Sequence, residues 1–182
     1  MSFLPPLFQI ALGLVVTLAL VFDVKEKRIP NWVALLGLSL GFGLNAIAWG
    51  WGGVATAAKG CGLGFGVYLG LYLLRAMGAG DVKLMAAVGS IAGATNWLGI
   101  FVCTALVGGV FGLAAVITKG RFVKTFWNIR FIVEELSRGR APYKNMPELD
   151  VANPQALRLP HAVAVAGGAA AFVAASWIWA PR

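Results

Sequence analysis

The sequence predicts an all-α membrane protein: a bundle of about six transmembrane helices with both termini outside, plus a cytoplasmic amphipathic helix. Three observations carry that expectation. Of 182 residues, 59% are hydrophobic and only 12% charged, where ordinary soluble domains hold about 25% charged residues. Uncharged runs long enough to cross a bilayer recur along the chain. The basic residues gather in alternate connections between those runs. With a mean hydropathy of +0.81, a water-soluble enzyme or DNA-binding domain is excluded, because a globule of this size has too little interior for its apolar surface.

The uncharged runs cover residues 3–22, 29–58, 60–74, 84–118 and 159–181. About 20 apolar residues cross the hydrocarbon, so the first and last runs are one helix each. The second holds a helix over about 32–51 and then a glycine-rich turn at 50–53. A third helix follows over about 54–75, with Lys59 near enough to its end to snorkel. The 84–118 run is too long for one crossing at 1.5 Å per residue. It divides at Gly93-Ala94-Thr95-Asn96 into a short helix over about 82–94 and another over 97–118.

Six crossings put the connections at 23–31, 75–83 and 119–158 on one side, and these hold 13 of the 15 Lys and Arg residues. The positive-inside rule makes that side cytoplasmic. The same distribution explains the net charge of +8 without a nucleic-acid partner. The first run has no basic residue before it and three just after, the reverse of a cleavable export signal. Gly62, Gly66 and Gly70 form a small-residue ladder, repeated at Gly37/Gly41 and Gly108/Gly112, as expected where helices approach closely. The whole chain, 1–182, reads as a single integral-membrane domain.

In the 119–158 segment, Phe122, Phe126, Ile129, Val133 and Leu136 mark one apolar helix face. Lys124, Asn128, Glu135 and Arg138 fall away from it. This is the pattern of a basic amphipathic helix lying on the inner leaflet of the bilayer. Four prolines between 139 and 160 mark an irregular loop.

Outside that segment there are three acids: Asp23, Glu26 and Asp81. Ionisable groups at the membrane boundary are costly and mark function. Glu26, between Lys25 and Lys27, is explained by solvation. Asp23 ends the first helix, where the negative end of the helix dipole disfavours a carboxylate. Asp81 follows Gly78-Ala79-Gly80, two glycines expected to allow a backbone conformation closed to other residues, and it opens the short fourth helix. Both acids fall at the cytoplasmic boundary. Two carboxylates converging on one water supply a general base and a general acid, with no metal, cofactor or nucleophilic side chain. His161, the only histidine, reads as an interfacial residue. Cys61 and Cys103 read as inert thiols inside apolar runs.

The elements Asp23-Val24-Lys25-Glu26-Lys27-Arg28-Ile29-Pro30-Asn31 and Gly78-Ala79-Gly80-Asp81-Val82-Lys83 together resemble the signature of the type IV prepilin peptidases, membrane-embedded aspartic proteases of the GxGD type. Presenilin-like proteases share only the second element. The resemblance implies catalytic Asp23 and Asp81, a loop shaped by Gly78 and Gly80, Pro30 in the first turn of the second helix, and Asn31 hydrogen-bonding near Asp23. Lys83 is then either a partner for an Asp or an acidic substrate residue, or a snorkelling lysine. It further implies a bacterial inner (cytoplasmic) membrane enzyme whose partners are the bilayer and a small prepilin with a basic leader and a hydrophobic helix. Larger members carry a Cys-x-x-Cys insert between the first helices and also N-methylate their product. The short cysteine-free connection here resembles the Flp or tight-adherence type, so methyltransferase activity is not expected. Two other classes compete: a proton-coupled transporter using the same acids, and a non-catalytic pilus or secretion assembly subunit.

Overall fold

The computed structural model describes residues 4–120, 122–139, 145–146 and 160–178. They form α1 (Pro6–Glu26), α2 (Asn31–Leu73), α3 (Ala79–Thr118), α4 (Phe122–Ser137) and α5 (His161–Ile178), with no strand among the described residues. All but α4 are long and apolar enough to cross a membrane. Their outward faces carry large apolar side chains; Ile47 is 86% and Trp51 88% exposed. Soluble proteins rarely expose contiguous apolar surface on this scale, and the chain is a membrane protein.

As straight rods, the 43 residues of α2 and 40 of α3 would measure roughly 60–65 Å, twice the hydrocarbon thickness. Both are broken instead. Helical geometry fails at Trp49 (φ −138°) and Gly50 (φ 57°, ψ −139°) in α2, and at Gly93 (φ 73°, ψ 165°) in α3. These are the glycine-rich turns expected from the sequence. The packing reveals that the chain doubles back at each. A Cβ on Gly53 would overlap the Asn45 carbonyl. Gly37 lies against Ala87 and Gly41 against Ser90, so the first arm of α2 runs parallel to the first arm of α3. Gly60 lies against Gly89 and Gly64 against Met85, so the second arm returns antiparallel. Across Gly93, the Trp97 indole N–H donates to the Met85 carbonyl at 3.2 Å. The second arm of α3 then runs antiparallel to α5, with Gly99 on Phe172 and Gly108 on Ala164.

The first arm of α3 is the centre of the bundle, with residues 84–93 all buried. It is the short fourth helix expected from the sequence, begun three residues earlier at Ala79. Asn45, 1% exposed, ties it to α2 by donating to Gly41 O at 2.9 Å and Ser90 O at 3.0 Å. Interhelical hydrogen bonds of this kind contribute about 1 kcal/mol in a membrane.

The ladder assignment needs correction. Gly62, Gly66 and Gly70 have open space where a Cβ would stand and are exposed. The close approach belongs to Gly53, Gly60 and Gly64 on the opposite face of the same helix. Gly37 and Gly41 do pack as expected, whereas Gly112 meets nothing.

Gly93 combines a φ of 73° and ψ of 165° with the Thr56 methyl 2.9 Å from a hypothetical Cβ. That backbone region is essentially glycine-only. Gly93→Ala is expected to cost about 1–3 kcal/mol, read as a lower unfolding midpoint in detergent. Gly50→Ala meets only the backbone strain, since its surroundings are open.

The bundle has two distinct ends. At one, the Phe8 and Trp49 rings lie 5.1 Å apart, the Trp177 indole donates to Gln9 Oε1 at 3.1 Å, and Phe8, Trp49, Gly93 and Asn96 line a shared cavity. At the other end the last turn of α1 meets the first turns of α2, α3 and α5. Tryptophans near helix ends suit the membrane interface.

The amphipathic helix exists as α4. Phe126, Ile129 and Val133 of its expected apolar face are each more than half exposed, so the bundle does not cover that face. The Phe122, Lys124 and Leu136 side chains lie outside the described residues, as does most of the irregular loop expected over 139–160. Glu135, placed by the sequence reading away from the apolar face, is instead 5% exposed and accepts from Asn145 Nδ2 at 2.8 Å.

Candidate active site

α1 continues beyond Asp23 to Glu26, and Lys27 ends it in the left-handed conformation (φ 53°), its N–H donating to Asp23 O at 3.0 Å. Asp23 therefore occupies the final turn. Its carboxylate faces α5, where Oδ2 accepts the Ala162 N–H at 3.0 Å. The first N–H groups of a helix have no partner within it, so Asp23 serves as a cap for α5 supplied from another helix.

Asp81 lies one turn inside α3, three residues after Gly78, which holds the N-cap position. The two are locked reciprocally: Gly78 N–H donates to Asp81 Oδ2 at 3.0 Å, and Asp81 N–H to Gly78 O at 3.1 Å. Gly78 has φ −83°, open to any residue, and Gly80 is helical without a positive φ. The expected backbone conformation closed to other residues is therefore absent at both. The left-handed residue in this connection is Arg75 (φ 55°). What the glycines provide is close approach. A Cβ on Gly80 would stand 3.3 Å from Ile29 Cβ, and one on Gly78 3.3 Å from Asp81 Oδ2. Gly80 thus lets the connection that follows Asp23 lie directly on the turn that carries Asp81.

Pro30 takes the N-cap of α2, one place before the first-turn position expected, and its carbonyl accepts from Val33 N–H at 3.1 Å. Asn31 bonds Lys83 rather than the neighbourhood of Asp23: Lys83 Nζ donates to its Oδ1 at 2.8 Å. This contact clamps the start of α2 to the first turn of α3. Both residues are exposed.

Both aspartates are half-buried. They lie within electrostatic reach of each other and of the His161 imidazole. His161 Nε2 is 3.2 Å from the Tyr68 hydroxyl. From the sequence alone His161 reads as an interfacial residue and Tyr68 carries no role. The available signal was a lone titratable ring at the head of an otherwise uncharged span. No trio of His, Cys, Asp or Glu among the described residues is placed to hold a metal.

Fold and site together define a membrane-embedded helical protein with two carboxylates at one end of its bundle, each presented in a terminal helical turn. Residues 10–113 match the type IV leader peptidase family, and the chain belongs to that family. The matched stretch contains Asp23, Gly78, Gly80 and Asp81 and stops short of α4 and α5. No curated protein and no solved structure matches the chain. Family membership makes this membrane protein a peptidase.

Proposed function

We propose that the protein is an intramembrane aspartic endopeptidase that removes the leader from prepilin-like proteins at the cytoplasmic face of a bacterial inner membrane. The observation that carries this reading is the placement of Asp23 and Asp81 at one end of the bundle, where Asp23 caps α5 and Gly80, next to Asp81, packs on Ile29 of the connection that follows α1. Two carboxyls that close on one water work as a pair, one protonated and the other ionised. The ionised member takes a proton from water as that water attacks the scissile carbonyl. The protonated member donates to the carbonyl oxygen. Gly78 and Gly80 shape the turn that presents Asp81, Gly78 lying against the Asp81 carboxylate and Gly80 against Ile29.

In this reading α2 and α3 each cross the bilayer twice, giving six crossings with α1 and α5. The aspartate end faces the cytoplasm. Lys25, Lys27, Arg28, Arg75 and Lys83 lie near it, and the positive-inside rule supports that orientation. The start of α1 and the end of α5 then face outward. The exposed apolar side chains of α4 rest in the inner leaflet, with Arg130 above the Trp127 ring at 5.4 Å. Residues 27–30 are all that separate α1 from α2 and hold no cysteine. This supports a peptidase of the Flp or tight-adherence type, without methyl transfer.

Purified protein mixed with a small Flp-type prepilin is expected to release the leader after a glycine, detected by mass spectrometry, while Asp81→Ala releases none. Failure of the folded protein to cleave several matched prepilins would overturn the reading and favour an assembly subunit.

A further inference from the structure

His161 heads α5, where the helix N-terminus disfavours a positive charge. Its neighbours hold the ring in place. The ring lies 5.7 Å from that of Tyr68, with Nε2 on the Tyr68 hydroxyl at 3.2 Å. Tyr68 is 1% exposed and wedged edge-on against Trp97 and Phe101, which stack on each other at 5.2 Å. Trp97 is in turn held by the Met85 carbonyl, one helical turn beyond Asp81. The residue after His161 is Ala162, whose N–H is on Asp23. A continuous series of contacts therefore runs from the arm bearing Asp81, through Trp97, Tyr68 and His161, to the carboxylate of Asp23.

We propose that His161 and Tyr68 form a positioning pair that holds the first turn of α5, and with it the Ala162 N–H that fixes the Asp23 carboxylate. The pair acts through Asp23 and needs no contact with substrate. The titratable groups facing the imidazole are Asp23 from α1, Tyr68 from α2 and Asp81 from α3. This inference rests on the peptidase reading above. It also adds a requirement from α5, a helix beyond the stretch matched to the family.

Tyr68→Phe preserves the ring packing and deletes only the hydroxyl. It and His161→Ala are expected to lower kcat for prepilin cleavage ~10- to 100-fold, the scale on which a small misplacement of a reacting group acts. KM should stay within about twofold, since substrate binding is not the function removed. His161→Gln, which retains a hydrogen-bonding side chain, should recover part of the rate. The Tyr68→Phe/His161→Ala double variant should be no slower than the worse single one, as for residues acting as a unit. Wild-type kcat and pH profile in Tyr68→Phe and His161→Ala, with Asp23→Asn inactive, would overturn the pair and leave the dyad standing. Full activity in Asp23→Asn and Asp81→Asn would instead overturn the dyad.

A second readout needs no cleavage. His161 is the only histidine, so histidine-labelled protein in nanodiscs gives one imidazole signal set. Its ring signals should shift in Tyr68→Phe, which deletes the hydroxyl on Nε2. Identical ring signals in wild type and Tyr68→Phe would refute the pair.

Discussion

Asp81→Asn and Asp23→Asn are each expected to abolish leader cleavage, with rates down by at least about 10³-fold, the scale seen when one member of a catalytic unit is removed. The amide is a stringent choice. Its oxygen can still accept the Gly78 N–H at position 81 or the Ala162 N–H at position 23. The turn before α3 and the cap on α5 should survive, and membrane insertion and the unfolding midpoint should stay near wild type. What an amide lacks is the exchange of a proton with water or with the scissile carbonyl. Rates are compared at saturating prepilin, with folding checked by thermal melting in the same detergent. A variant that melts normally and cleaves within tenfold of wild type would exclude its aspartate from the chemistry. Loss of activity accompanied by unfolding would instead make the carboxylate a structural cap.

The largest loss of stability is expected at the crossing of Gly60 and Gly89. A Cβ on either would overlap the carbonyl of the other. Backbone cannot swing aside as a flexible side chain can, so Gly60→Ala or Gly89→Ala must push the second arm of α2 off the central arm of α3. Overpacking of a rigid core typically costs 1–3 kcal/mol, and these positions belong at or above about 3 kcal/mol on that scale. Gly62→Ala and Gly66→Ala are the matched controls, because each faces open space. They should be neutral, or stabilising by up to about 1 kcal/mol from the better helix propensity of alanine. Reversible unfolding in mixed micelles separates the two sets. Equal destabilisation at residues 60 and 62 would refute the packing described.

The contrast between those glycines explains what the sequence made legible. Residues two apart on a helix point about 200° apart. Gly60/Gly64 and Gly62/Gly66/Gly70 each repeat every four residues, so spacing alone offers two opposite faces and no means of choosing. The choice is made by Gly89 and Met85, which are remote in sequence. The reversals at Gly50 and Gly93 were legible because length forces them: uncharged runs of 30 and 35 residues exceed one bilayer crossing. Asp23 and Asp81 stood out because carboxylates are expensive at that depth. Their neighbours were harder. Gly78 and Gly80 drew attention as conformational exceptions, yet their dihedral angles are ordinary and the constraint is contact with Ile29 and Asp81. Asn31 and Lys83 find each other across 52 residues, and Tyr68 finds His161 across 93. No local pattern encodes either partnership.

The bond from Ala162 to Asp23 joins residues 139 apart, and this sets an order of events during synthesis. α1, α2 and α3 emerge from the ribosome first and carry both aspartates, but Asp23 has no partner for its carboxylate until α5 is made. At ordinary translation rates that interval is on the order of ten seconds. A half-made chain therefore holds both acids without the contact that fixes one of them, and the Asp23 carboxylate gains its helix cap only when α5 docks.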